Sequence, residues 1–397
     1  MRYNVKDRRI RDQFLKNVKR DKKMDKQFTD EMIKIGASFG LPGSFFSCEE
    51  LKKGNVNSTY LVKYSETDSS GKTCEKPYLF QKVNTYAFRQ PVQLMENAEK
   101  ITEHILKKHP GAVTLRYYHT ECGGSRKNHL FVGEDFWRVM NYIPSVTFMS
   151  CDDTQIVRKA GIAFGEFQTA LSDFDPAQLY YTIPGFHDTR KRYAYLKESA
   201  RVDAAGRKNG IAIELDFLLS EEEKACLPTD LFNRGELPLR VTHNDTKINN
   251  VLFDEKTLEP LVVIDLDTVM PGIIASDFGD AIRYAANYTE EDCADLDKVG
   301  VDMNVFRAFA DGFLSRTARE LTETEKETLA HSCYSITCEL AARFLADYLD
   351  GDKYFKIRYP EHNLVRARNQ IALAKAMERN MDEMRSGVKE LADRYGK

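Results

Sequence analysis

Val241-Thr-His-Asn-Asp-Thr-Lys-Ile-Asn-Asn250 runs straight into the apolar Val251-Leu-Phe253, and a short connection later Leu261-Val-Val-Ile264 ends in Asp265-Leu-Asp267. The first stretch crowds His243, Asp245, Lys247, Asn249 and Asn250 into a loop beside a run that calls for burial. Loops held on a rigid scaffold are where reactive side chains concentrate. Asp245 has the group to take a proton from an attacking hydroxyl, and Asn250 offers an amide oxygen to a hard cation. A turn held only by Asx hydrogen bonds is the structural alternative. The second stretch reads as a buried strand with carboxylates at its end. Residues two apart on a strand share a face, so Asp265 and Asp267 are expected side by side. Like charges that close oppose each other's ionisation unless a cation compensates, and Mg²⁺, which also bridges polyphosphate oxygens, suits that task. An acid in one loop, an amide beside it and a carboxylate at a strand end make a phosphoryl-transfer constellation.

Upstream, Tyr60-Leu-Val-Lys-Tyr64 and Tyr78-Leu-Phe-Gln-Lys-Val83 flank a Ser/Asp/Gly-rich turn and read as hairpin strands. Pro91 opens a helical pattern through Leu94, Ala98, Ile101 and Ile105. Thr114–Tyr118 and Phe136–Tyr142 are two further candidate strands, with a turn around Gly123 and Gly124 between them. Pro144 then interrupts the chain. Beyond it, helices are expected over Asp153–Leu171, Asp188–Gly206, Asp302–Ala318, Thr324–Leu349 and Asn363–Tyr395. The expected fold is α+β, with a basic N-terminal helix or arm over 1–26, a β-rich lobe over 27–143 and a larger, mainly helical lobe over 144–397 that carries the chemistry.

Composition narrows the partners. The 397 residues suffice for two cores, and 58 basic against 61 acidic residues speak against a dedicated nucleic-acid binder. Neither a membrane-spanning apolar run nor a signal-like start is visible, and eight scattered cysteines without a CxxC pair suit a reducing compartment. The expected location is cytoplasmic, as a monomer or weak homo-oligomer.

His243-Asn-Asp-Thr-Lys-Ile-Asn-Asn250 with Ile264-Asp-Leu-Asp267 resembles the paired signature of the aminoglycoside phosphotransferase and choline kinase superfamily, whose fold is the two-lobed protein-kinase-like one. The wording is closest to the N-acetylhexosamine 1-kinases. It extends through Gln81-Lys82-Val83-Asn84, Leu94-Met-Glu-Asn97, Trp137-Arg138, Gly185-Phe-His-Asp-Thr189, Pro271-Gly272, Asp277-Phe-Gly-Asp280, Arg283, Arg343-Phe-Leu-Ala-Asp-Tyr348 and Tyr354-Phe355.

That resemblance implies transfer of the ATP γ-phosphate to the anomeric C1 hydroxyl of an N-acetylhexosamine, with Mg²⁺ as cofactor. Asp245 then orients and deprotonates the hydroxyl, and His243 braces the loop. Asn250 and Asp265 hold the metal, which Asp267 either touches indirectly or supports as an anchor. Arg343 and Tyr354 contact the sugar. Asp277-Phe-Gly-Asp280 reads as a structural turn, with Asp277 orienting the catalytic loop and Arg283 paired to a carboxylate. Gly54 and Asn55 form a phosphate-covering turn, and Lys82 holds the α- and β-phosphates with Glu96 as its partner. Glu99, on the same helix face, is the alternative partner, and strand register decides between Lys82 and Gln81. The backbone around Tyr142 meets adenine, unless that strand belongs to the core. Another small hydroxyl substrate, such as an amino sugar, aminoglycoside or amino alcohol, is the alternative to the acetylated sugar.

Overall fold

The computed structural model describes residues 26–51, 56–67, 70–122 and 125–397. The basic N-terminal segment up to residue 25, and the turns expected at Gly54 and Asn55 and around Gly123 and Gly124, lie outside the described residues. Two units divide the chain between Pro144 and Ser145.

In the first unit, aromatic and β-branched runs become an antiparallel sheet because one of its faces has a helix to bury against. Helix α1 (Lys26–Ser38) precedes β1 (Ser44–Leu51), β2 (Ser58–Thr67) and β3 (Thr73–Val83). Helix α2 (Pro91–Lys108), β4 (Thr120–Cys122), β5 (Ser125–Lys127), β6 (Leu130–Val132) and β7 (Asp135–Asn141) follow. The main sheet has the order β1-β2-β3-β7-β6, with β4 and β5 forming a separate hairpin. Met32 and Ile35 of α1 pack on Val62, Tyr64, Tyr78, Phe80, Trp137 and Val139. Leu79, Gln81 and Val83 alternate to the other face, where Arg138 reaches Met95 of α2 at 3.6 Å. Thr114–Tyr118 is not a strand. Only Tyr117 bridges to Met140, while the Asn141 side chain accepts from the Arg116 N–H at 2.7 Å and donates to the Thr114 carbonyl at 3.2 Å. Two backbone bonds, from the Tyr118 N–H to the Val139 carbonyl at 2.9 Å and from the Asn141 N–H to the Arg116 carbonyl at 3.1 Å, complete the attachment without extending into a ladder.

The second unit is built on helices α3 (Thr154–Ala170), α4 (Thr189–Val202), α5 (Ala212–Ser220), α6 (Glu222–Ala225) and α7 (Leu227–Asn233). Strands β8 (Arg240–Thr242), β9 (Val251–Phe253), β10 (Pro260–Val263) and β11 (Met270–Gly272) come next. Helices α8 (Ile274–Ala285), α9 (Met303–Thr317), α10 (Glu323–Asp350), α11 (His362–Arg379) and α12 (Met381–Tyr395) close the chain. The last two correct the single helix expected from Asn363 onward, since the backbone breaks at Asn380. Asp277-Phe-Gly-Asp280 is likewise not a turn but the middle of α8. Glycine explains its place there: a Cβ on Gly279 would meet the Ser332 carbonyl oxygen of α10 at 2.6 Å, so α8 and α10 touch backbone to backbone. Phe278 beside it packs on Phe306, Phe309 and Phe313 of α9. The long α10 opens with a capping box, Thr322 bonding the Glu325 N–H while the Glu325 side chain returns to the Thr322 N–H.

Candidate active site

Strand β8 pairs with β11, and β9 pairs with β10, so two short ladders hold both ends of the loop that contains Asp245. Between them the backbone turns through Asn244 at φ 63°, a left-handed conformation that asparagine tolerates better than most residues. The Asn244 side chain fixes that turn by donating to the Thr268 carbonyl at 2.9 Å. Asp277 does more: its buried carboxylate accepts the N–H of His243 at 2.8 Å, that of Asn244 at 2.7 Å, and the Gln168 amide at 2.8 Å. Burial pushes the Asp277 carboxyl up, opposed by the backbone N–H groups of His243 and Asn244. Asp277 therefore orients the loop, as the sequence suggested, though from a helix.

His243 is fully buried between Phe164 and Phe167. Its Nδ1 accepts the Asp245 N–H at 3.3 Å, so Nε2 carries the proton and donates to the Ile264 carbonyl at 2.9 Å. A ring engaged at both nitrogens by backbone is a brace rather than a proton carrier.

Asp245 itself is partly exposed. Its carboxylate is 2.5 Å from Lys247 Nζ and 3.0 Å from the donating amide of Asn250, which also reaches the Asp245 carbonyl at 2.8 Å. Burial would lower the Lys247 ammonium, but Asp245 and Asp280 hold it above its ordinary range. Sequence reasoning placed Lys247 in the loop without a role. Its signal was its position two residues after the acid.

Asp265 and Asp267 do not lie side by side as expected. Asp265 takes a left-handed conformation, φ 61°, and the chain then winds through a short 3-10 turn over Leu266–Thr268. Strand alternation ends there, leaving Asp265 exposed and Asp267 only 2% exposed. Asn250 and Asp265 are nevertheless neighbours in the fold, because the Ile264 N–H donates to the Asn250 carbonyl at 2.8 Å. With its N–H₂ committed to Asp245, the Asn250 amide has its oxygen for a cation. That oxygen and the Asp265 carboxylate are the hard donors Mg²⁺ takes.

Asp280 and Arg283 form a buried pair at 2.8 Å, extended by Glu291 at 3.1 Å. The guanidinium of Arg343, by contrast, has aromatic company: in α10, Arg343 lies 5.1 Å from the Phe186 ring, 5.6 Å from Phe355 and 6.0 Å from Tyr354. Asp347 folds the segment after α10 back onto the helix by accepting the N–H groups of Lys353, Tyr354 and Phe355 at 2.8–2.9 Å. Arg192 is also close, since Arg343 lowers it further after burial has done so.

In the first unit, Lys82 shares a face with Phe80 and Trp137 and binds Asp135 at 2.6 Å. Its expected partner Glu96 stands on α2, and Glu99 of the same helix is held by His119 at 2.5 Å and Asn128 at 2.7 Å. The residue turned toward α2 is Gln81, whose oxygen accepts from Arg138 at 2.8 Å. Tyr142 lies one residue past the end of β7, with Met140 and Ile143 buried on either side.

A small β-rich unit followed by a larger helical one is the two-lobed, kinase-like α+β fold of the aminoglycoside phosphotransferase type. The profile of the Phosphotransferase enzyme family matches residues 47–313, more than half of the chain, and the chain belongs to that family. Among solved structures, an ethanolamine kinase from Plasmodium vivax is 16% identical with TM-score 0.54, the match covering 92% of this chain and 95% of that one. An aminoglycoside phosphotransferase from Alicyclobacillus acidocaldarius is 14% identical with TM-score 0.57, covering 86% and 92%. A spectinomycin phosphotransferase solved with ADP and spectinomycin is 12% identical with TM-score 0.55, covering 88% and 98%. At these identities the likeness is one of fold.

Proposed function

We propose that the chain is an ATP-dependent, Mg²⁺-assisted kinase that phosphorylates the anomeric C1 hydroxyl of an N-acetylhexosamine, GlcNAc or GalNAc, to give the sugar 1-phosphate. The observation that carries the phosphoryl-transfer reading is the Asp245 carboxylate, partly exposed and gripped by Lys247 and Asn250. Asp245 takes the hydroxyl proton as the oxygen attacks, because His243 has both ring nitrogens engaged. Lys247 balances Asp245 at rest and can follow the negative charge onto the transferred group. Asn250 and Asp265 would hold the metal, with Asp267 as a buried anchor of the turn. When bound, Mg²⁺ supplies charge neutralisation at the phosphate oxygens. ADP in the spectinomycin phosphotransferase supports a nucleotide donor. Gly54, Asn55 and Tyr142 are assigned to the nucleotide, whereas Lys82, paired with Asp135 on the face that α1 covers, is not.

The substrate assignment rests on Arg343 and Tyr354, whose guanidinium and hydroxyl suit sugar oxygens and an acetamido carbonyl. Two arginines, Arg343 and Arg192, crowd this corner. The second reading, an amino alcohol or aminoglycoside kinase, draws on what the similar structures act on by name. A panel of GlcNAc, GalNAc, glucose, ethanolamine, choline and spectinomycin with ATP and Mg²⁺, the phosphate position read by NMR, separates the two. The expected result is a sugar 1-phosphate from the acetylated sugars, with Arg343→Ala raising the sugar KM roughly 10–100-fold and leaving the ATP KM in place. Turnover of an amino alcohol or aminoglycoside alone would replace the first reading by the second.

A further inference from the structure

One buried ion pair has no part in the chemistry above. His187 lies in Gly185-Phe-His-Asp-Thr189, the segment leading into α4, and Glu339 lies in α10. Their side chains are only 10% and 1% exposed. His187 Nδ1 is 2.9 Å from Glu339 Oε1, and Nε2 is 3.3 Å from the carbonyl oxygen of Asn244. The other Glu339 oxygen accepts the Thr189 hydroxyl at 2.9 Å, as a carboxylate does. A neutral imidazole has one N–H and cannot serve two acceptors. With Glu339 ionised, both ring nitrogens here face acceptors, so both carry protons. His243 offers the contrast, because one of its nitrogens faces an N–H.

The two histidines grip the same peptide. His243 takes the N–H of Asp245, and His187 takes the carbonyl of Asn244, which belong to one planar unit. We propose that His187 is a positioning residue, held as an imidazolium by Glu339, that clamps the peptide immediately before Asp245 to helix α10 and so sets the direction of the catalytic carboxylate. The consequence for activity rests on the kinase reading; the protonation state does not.

The charged groups around the ring come from three helices. Glu339 and Arg343 belong to α10, Asp277 and Asp280 to α8, and Arg192 to α4. Burial alone would lower the His187 imidazolium, but Glu339 first and Asp280 next raise it above 6.5, against Arg343. Burial would raise the Glu339 carboxyl, and His187, Arg343 and Arg192 bring it below its ordinary range. A histidine with a raised folded pKa contributes its stabilisation fully below the unfolded pKa, about 6.5, and loses it as pH rises through the folded value. The clamp therefore weakens on the alkaline side.

The direct test is ¹⁵N NMR of histidine-labelled protein at about pH 7, where an unperturbed imidazole is mostly neutral. His187 is assigned by the signal that disappears in His187→Gln. Both of its ring nitrogens are expected to be protonated in the wild type, and the ring to become neutral at the same pH in Glu339→Gln. A neutral His187 tautomer in the wild type would overturn the proposal, whether or not any substrate is turned over. In steady-state kinetics, His187→Gln is expected to lower kcat roughly 10–100-fold with much smaller changes in either KM, and Glu339→Gln to move the alkaline limb of kcat to lower pH. An alkaline limb unmoved in Glu339→Gln, together with wild-type kcat in His187→Gln, would remove the positioning role.

Discussion

Asp245 is fixed at both ends, its backbone by two histidines and its carboxylate by Lys247 and Asn250. A carboxamide in its place keeps the shape and loses the proton acceptor that the proposed function assigns to it. Asp245→Asn is expected to lower turnover roughly 10²–10⁴-fold while nucleotide binding stays near wild type. Turnover within a factor of a few of wild type would take the residue out of the mechanism. At this scale much was legible, because Asp245, Asn250 and Asp265 announce themselves as polar groups crowded next to apolar runs. Glu339 could not be read that way. It stands inside a long helix 152 residues from His187, and sequence carries no local sign of such a pair. Lys82 was misjudged in its partner for a related reason: whether it meets a helix or Asp135 depends on which face of β3 it occupies.

Helices in the second unit follow their apolar periodicity closely, and Asp153 and Asp302 cap the two that cross most tightly. What periodicity could not show is how near α3 and α9 come. A Cβ on Gly312 would lie 2.0 Å from the Arg158 carbonyl oxygen, and one on Gly161 would lie 2.4 Å from that of Phe309. The neighbours are backbone atoms, so no side chain can swing away. Gly312→Ala is expected to force the helices apart and destabilise the protein by about 1–3 kcal/mol, despite the better helix propensity of alanine. Urea unfolding measures this, and an unchanged or raised midpoint would show that the crossing is looser than described. Elements were misread where a special backbone intervened. Left-handed Asp265 ended the strand pattern early, and Asp277-Phe-Gly-Asp280, which the resemblance implied to be a turn, lies in a helix where Gly279 serves helix contact.

At the level of the whole molecule, the division into a β-rich and a helical unit followed from the change of sequence pattern near Pro144, whereas the short helices α5 to α7 left too little periodicity to be seen. None of the helices among the described residues is long and apolar enough to cross a membrane. Ligand binding is readable as stability of the entire protein, since a ligand at about 100 times its Kd adds about 2.7 kcal/mol. A non-hydrolysable ATP analogue with Mg²⁺ is expected to raise the Tm of the wild type and of Asp245→Asn alike. Asp265→Ala should forfeit most of that gain. An equal shift in all three proteins would rule out Asp265 as a metal ligand.

The carboxylate of Asp277 has a consequence for proton exchange with solvent. The amide protons of His243 and Asn244 sit in a loop, where exchange is ordinarily fast, yet both end on a side chain carried by α8. That helix is pressed against α10 at Gly279 without room to slide. For deuterium to reach those two amides, the helices themselves have to part, so the loop borrows the opening free energy of the helical unit rather than having one of its own. The two amides are expected to exchange with the slow class of α10, and Asp277→Asn, which keeps the shape and loses the charge, to bring them forward.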